Sequence, residues 1–171
     1  MRFWFDTEFY EDGRTIKLIS IGVVAEDGAQ YYAETAGAYV LSGATEWLAE
    51  HVRPSLTPPW AGSAVVKTPR TIASDLIAFM GDKPEIWAYY ADYDWVVLCQ
   101  LFGIMINLPK GWPRYCRDVK QLCDSLGNPE LPRQDPTKKH QALEDAIWTR
   151  QAWEFLQKPK MSLLSEEMGI S

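Results

Sequence analysis

The sequence predicts an α/β fold: a mixed sheet that opens as an antiparallel three-strand meander, continues with parallel strands and carries helices on both faces. Three observations lead there. The turn triplets Glu11-Asp12-Gly13 and Glu26-Asp27-Gly28 divide residues 1–34 into three runs rich in β-branched and aromatic residues. After them, helical spacing alternates with short apolar runs, the order of an α/β chain. The composition, 47% hydrophobic and 13% aromatic with eight Trp in 171 residues, is that of a packed core rather than a disordered chain. That length fits one domain, read here as 1–157, followed by a C-terminal tail or docking segment over 158–171.

Taken in order, residues 2–9 form the first strand, Ile16–Ala25 a longer second one and 30–34 a third. Residues 43–53 have a helical pattern that puts Trp47, Leu48 and Val52 on one side. The stretch 54–67 carries three prolines and little periodicity, and reads as loop. Thr68-Pro69 supplies an N-cap and a first-turn proline, opening a helix that ends at Gly81. A fourth strand spans 85–91, a helix 95–102 with Gly103 as its stop, and a short fifth strand 115–117. A helix from Asp118 or Val119 runs to Leu126. The proline-rich loop 128–139 leads to a last helix from His140 or Gln141 to about Gln157.

The bulk properties narrow the function. No apolar run approaches the roughly 20 residues that span a bilayer, and no charged-then-apolar leader opens the chain, so neither membrane insertion nor export is expected. Cys99, Cys116 and Cys123 are odd in number and form no CxxC pair, which fits reduced thiols in a cytoplasmic protein. A net charge of −6 argues against a general nucleic-acid binder, which neutralises phosphates with Lys and Arg. It is compatible with a nuclease whose acids surround metal ions, because the cations invert the local field.

The acids gather in three places. Asp6 and Glu8 lie one residue apart at the end of an apolar strand, so both point to the same side. Their repulsion asks for a cation between them, although two hydrated acids at a strand end fit the pentapeptide equally well. Asp92 and Asp94 follow the fourth strand, where a helix cap is the plain alternative. His140 and Asp145 open the last helix. Five residues on a helix turn through about 140°, so the two converge only if His140 sits on the incoming loop. Such a loop suits a mobile base; a surface histidine after two lysines is the plain alternative.

Together, Asp-x-Glu on the first strand, Asp after the fourth and His-x(4)-Asp at the last helix resemble the Asp-Glu-Asp-Asp 3′–5′ exonucleases of the histidine-containing subtype. The order and spacing agree over residues 1–157. The FDTEF start, the IKLISIGVVAEDG hairpin and the LCQLFG helix are most similar to the small RNase-T-like exoribonucleases of mycobacteria and phages. The second motif departs from the broader pattern: Tyr90 stands where most members carry Asn. Tyr93 keeps the aromatic before the metal-binding Asp, which selects Asp94 over Asp92.

The resemblance implies a ribonuclease-H-like fold and a two-metal reaction. Asp6, Glu8, Asp94 and Asp145 hold two ions, Mg²⁺ or Mn²⁺, with Asp6 bridging; oxygen-rich sites favour these metals over zinc. Ions about 3.5–4 Å apart clamp the attacking and leaving oxygens. His140 takes the proton from the attacking water. Thr7, Glu8 and Phe9 flank the 3′-terminal nucleotide, Phe9 by stacking, with a core aromatic as its alternative. Lys67, Arg70, Arg114, Arg117, Lys138 and Lys139 are candidate guides for the phosphate backbone. The expected product is a nucleoside 5′-monophosphate, cut from single-stranded RNA 3′ ends or 3′ overhangs by a cytoplasmic enzyme that relatives lead one to expect as a homodimer. Single-stranded DNA as substrate, and a catalytically silent RNA-binding module, are the alternatives.

Overall fold

The computed structural model describes residues 1–158. Six strands form one sheet: β1 (Arg2–Glu11), β2 (Ile16–Ala25), β3 (Gln30–Thr35), β4 (Val66–Lys67), β5 (Glu85–Ala88) and β6 (Arg117–Asp118), in the order β4-β3-β2-β1-β5-β6. The β1–β2 and β2–β3 pairs are antiparallel, whereas β1–β5, β5–β6 and β3–β4 are parallel. The meander-then-parallel sheet expected from the sequence is thus the one observed. Six helices accompany it: α1 (Ala38–Leu41), α2 (Glu46–His51), α3 (Pro69–Met80), α4 (Asp92–Gln100), α5 (Val119–Ser125) and α6 (Ala142–Leu156).

Alternation along β1 sends neighbouring side chains to opposite faces. Phe3 and Phe5 pack with Ile72 and Leu76 of α3 and with Val97 and Leu98 of α4. Trp4 packs on the other face with Val119 and Cys123 of α5 and Ala152 and Leu156 of α6. Each such buried side chain contributes roughly 1.5–3 kcal/mol relative to exposure. Asp6 and Glu8 continue the Trp4 face, beside α6. A register shift between Glu8 and Phe9 then bends the strand just past the acids.

Gly22 fixes how closely α6 lies on the sheet. It pairs with Asp6 across the β1–β2 ladder. A Cβ at this position would sit 2.3 Å from Leu143 Cα and 2.4 Å from the Ala142 carbonyl oxygen. Only glycine lets the first turn of α6 settle there, directly beside Asp6.

Several boundaries differ from expectation. The fourth strand stops at Ala88, not at residue 91, and α4 begins at Asp92 rather than 95. Tyr90 is the cause: its φ of 55° breaks the extended run. The fifth expected strand is displaced to Arg117–Asp118, and the loop 54–67 ends in the two-residue strand β4, too short to show periodicity. The helical stretch 43–53 condenses to α2 and a 3₁₀ turn, Arg53–Ser55. Leu48 and Val52 are buried as expected, but Trp47 is 49% exposed, because the small core of Ile19, Ala38 and Leu56 admits only the other two. The expected tail lies, Lys158 apart, outside the described residues. No helix among the described residues is long and apolar enough to cross a membrane.

Candidate active site

Asp6, Glu8, Asp94, His140 and Asp145 line one cleft of about 760 Å³. They arrive from three segments far apart in sequence. Strand β1 delivers Asp6 and Glu8, the first turn of α4 delivers Asp94, and the loop-to-α6 junction delivers His140 and Asp145.

Each acid is held by a neighbour. Asp94 accepts the backbone N–H of Thr7 at 2.9 Å and its hydroxyl at 2.5 Å. It is 6% exposed, whereas Asp92 faces solvent. Asp145 accepts the backbone N–H of His140 at 2.9 Å on one oxygen and the side-chain amide of Gln134 on the other. His140 lies outside α6 with φ 60°, in the left-handed region. A ring nitrogen of His140 and carboxylate oxygens of Glu8 and Asp145 all lie within 4.8 Å of one another.

The electrostatics of this cluster are adverse without a cation. Burial, then the charges of Asp94, Glu8 and Asp145, hold Asp6 well above the usual carboxylate range. Burial and the charges of Asp145 and Asp94 push Glu8 up to about 8. Burial lifts Asp94 to about 6 against the opposing hydrogen bonds from Thr7, and burial also raises Asp145. Four carboxylates that resist ionisation together form an oxygen-rich donor set, with one imidazole nitrogen beside it, and fit hard divalent cations. Burial lowers His140 below the ordinary imidazole range, although Asp145 pulls the other way.

The walls are aromatic. Phe9 stacks on Tyr93 with centroids 5.7 Å apart and planes 7° from parallel. Tyr89 meets Tyr90 at 4.6 Å and Trp148 at 4.9 Å, both edge to face. Tyr90 and Tyr93 are 63% and 57% exposed at the rim. Of the six cations nominated as backbone guides, Lys139 lines the cleft. Lys67 is paired with Asp75, Lys138 with Glu144, and Arg114 donates to the Met105 carbonyl.

Sequence reasoning did not nominate Trp47, Gln134, Trp148 or Asp118. Asp118 caps α5 and accepts the Ala91 N–H at 2.8 Å, holding the turn that presents Asp94. Its position before a helix is an N-cap signature. Trp47, Gln134 and Trp148 carry no local signature; only the tertiary fold brings them to the cleft.

Solved structures share this fold. Escherichia coli exonuclease I in complex with a dT13 oligonucleotide aligns with TM-score 0.58 at 14% identity, over 96% of this chain and 42% of its own. Schizosaccharomyces pombe Pop2p in its Mg²⁺- and Mn²⁺-bound form aligns with TM-score 0.54 at 14% identity, over 90% of this chain and 82% of its own. The chain therefore spans less than half the length of exonuclease I, and at these identities the likeness is one of fold alone. Sequence comparison is more specific. The model of the 3′–5′ exoribonuclease Rv2179c-like domain matches residues 1–157. The 3′–5′ exoribonuclease Rv2179c of Mycobacterium tuberculosis H37Rv is 45% identical over 150 residues, 85% of this chain and 87% of its own. The chain belongs to the Rv2179c-like 3′–5′ exoribonuclease domain family.

Proposed function

We propose that the chain carries out its family's 3′–5′ exoribonuclease reaction on single-stranded RNA ends and 3′ overhangs, releasing nucleoside 5′-monophosphates. In this reading Asp6, Glu8, Asp94 and Asp145 hold two Mg²⁺ or Mn²⁺ ions and His140 is the general base. The observation that carries it is that four carboxylates and a histidine, from three separate segments, line a single aromatic-walled cleft, with Glu8, Asp145 and a ring nitrogen of His140 within 4.8 Å of one another. When bound, the ions stabilise charge on the attacking and leaving oxygens of the scissile phosphate.

The chain's own residues supply the rest. Thr7 and Gln134 orient Asp94 and Asp145, as partners behind metal ligands commonly do. A ring nitrogen of His140 accepts the proton of the attacking water. Its lowered basicity keeps that nitrogen free at neutral pH. The cleft volume is in the range of small-molecule sites and suits one terminal nucleotide. The Phe9–Tyr93 stack offers a base platform without sequence preference. Glu8 and the backbone at Thr7 face the terminal sugar, and Lys139 faces the incoming phosphate. A cytoplasmic protein with one catalytic domain over 1–157 completes the reading, supported by the three free thiols and the span of the family match; a homodimer is carried over from the resemblance alone.

Matched RNA and DNA oligonucleotides, labelled at the 5′ end and incubated with Mg²⁺ or Mn²⁺, test the reaction. The reading expects a ladder that shortens from the 3′ end and forms faster on RNA. Preference for DNA moves the substrate to single-stranded DNA, and binding of RNA without cleavage in either metal makes the chain a silent module.

A further inference from the structure

We propose that Trp47, backed by His51, is the positioning residue that aims the imidazole of His140 into the cleft; the inference rests on the reading of His140 as the base. The backbone of His140 is tied down by its N–H bond to Asp145. Among the described residues no hydrogen bond holds its ring. The ring instead meets aromatic faces: Trp47 at 4.8 Å and 79°, and His51 at 5.8 Å and 88°. These are edge-to-face geometries, the favoured arrangement for aromatic pairs.

The platform behind the ring is itself rigid. Trp47 and His51 are stacked one helical turn apart, at 4.9 Å and 13°. Nδ1 of His51 lies 2.9 Å from the Trp47 carbonyl oxygen, which fixes its rotamer. Thr45 caps α2 by accepting the Leu48 N–H, and Leu48 and Val52 anchor the segment in the core beneath. A half-exposed indole that adds nothing to that core thus has a purpose: it meets a ring on a left-handed loop residue from a separate, fixed element. A base aimed in this way reaches its water without a search through rotamers.

Because Trp47 also lines the cleft, the competing role is direct stacking on a nucleotide. Steady-state kinetics of the full chain on labelled RNA with Mn²⁺ separate the two. In Trp47→Ala the proposal expects kcat to fall by about tenfold to a hundredfold with KM unchanged. Trp47→Phe, which keeps an aromatic face, recovers most of the rate. The chain has two histidines, so imidazole NMR gives two resolvable Cε1–H signals. The His140 signal should show an Overhauser contact to the Trp47 indole in the wild-type protein and move in Trp47→Ala. A raised KM with intact kcat, or an unmoved His140 signal with intact kcat, overturns the proposal. The wild-type Overhauser contact needs no variant to fold, and its absence overturns it too. Failure of the underlying reading looks different: His140→Ala would then keep full activity.

Discussion

Thr7 gives both of its donors to one oxygen of Asp94, the backbone N–H at 2.9 Å and the hydroxyl at 2.5 Å. This double bond of contacts stitches the acidic end of β1 to the first turn of α4, across a sequence separation of 87 residues. It gives Thr7 a task that its place between two acids did not reveal. Hydrogen bonds to a carboxylate are short and strong, and they set the direction of its remaining lone pairs. Thr7→Val keeps the shape and removes the hydroxyl. Calorimetric titration should find Mn²⁺ affinity reduced by about 10- to 100-fold, with Thr7→Ser close to wild type. An unchanged affinity in Thr7→Val would mean that Asp94 needs no such orientation.

The metal-free protein should lose stability as pH rises. An acid whose folded-state pKa is raised favours the fold while protonated, and that advantage disappears as pH climbs through the folded value. Glu8 sits at about 8 and Asp94 at about 6, so the loss runs from the ordinary carboxylate range up to about pH 8. Thermal melts in chelator should show a lower Tm at about pH 8 than at about pH 5, reflecting a stability loss on the order of a few kcal/mol. Mg²⁺ should restore stability at the higher pH far more than at the lower one. Equal rescue at both would separate the acids from the metal.

Gly22 offers a third test, away from the chemistry. A methyl group there meets the backbone of Ala142 and Leu143, which cannot rotate aside. Gly22→Ala should therefore cost about 1–3 kcal/mol. It should also lower activity, because the turn of α6 that moves carries Asp145. A melt at the wild-type Tm contradicts the close-packing account.

Much of this was legible in the chain because the decisive patterns are local. Period-two alternation put Asp6 and Glu8 on one face, and the turn triplets marked the meander. Helical geometry lets His140 and Asp145 converge only if His140 lies on the incoming loop. The helix start expected from the sequence is His140 or Gln141, and α6 begins at Ala142, leaving His140 outside it. What escaped was set by tertiary contact. Tyr89 and Tyr90 have strand propensity and extended the expected fourth strand, yet φ at Tyr90 turns the chain to bring Asp94 inward. Trp47 follows the same spacing as Leu48 and Val52 in a helical reading, and only the width of the core beneath decides which of them stays out. The tie of Thr7 to Asp94 escaped as well, because nothing local links it to a helix that begins at residue 92.

The central claim is that four acids and one histidine act as a single two-metal centre. The most direct measurement is the single-turnover rate of 3′-end hydrolysis of a 5′-labelled RNA at saturating Mn²⁺, for wild type, Asp6→Asn and His140→Ala. The account predicts no detectable cleavage by Asp6→Asn, and a rate lower by about 10²- to 10⁴-fold for His140→Ala, the range for loss of a general base. Wild-type rates in either variant would contradict it.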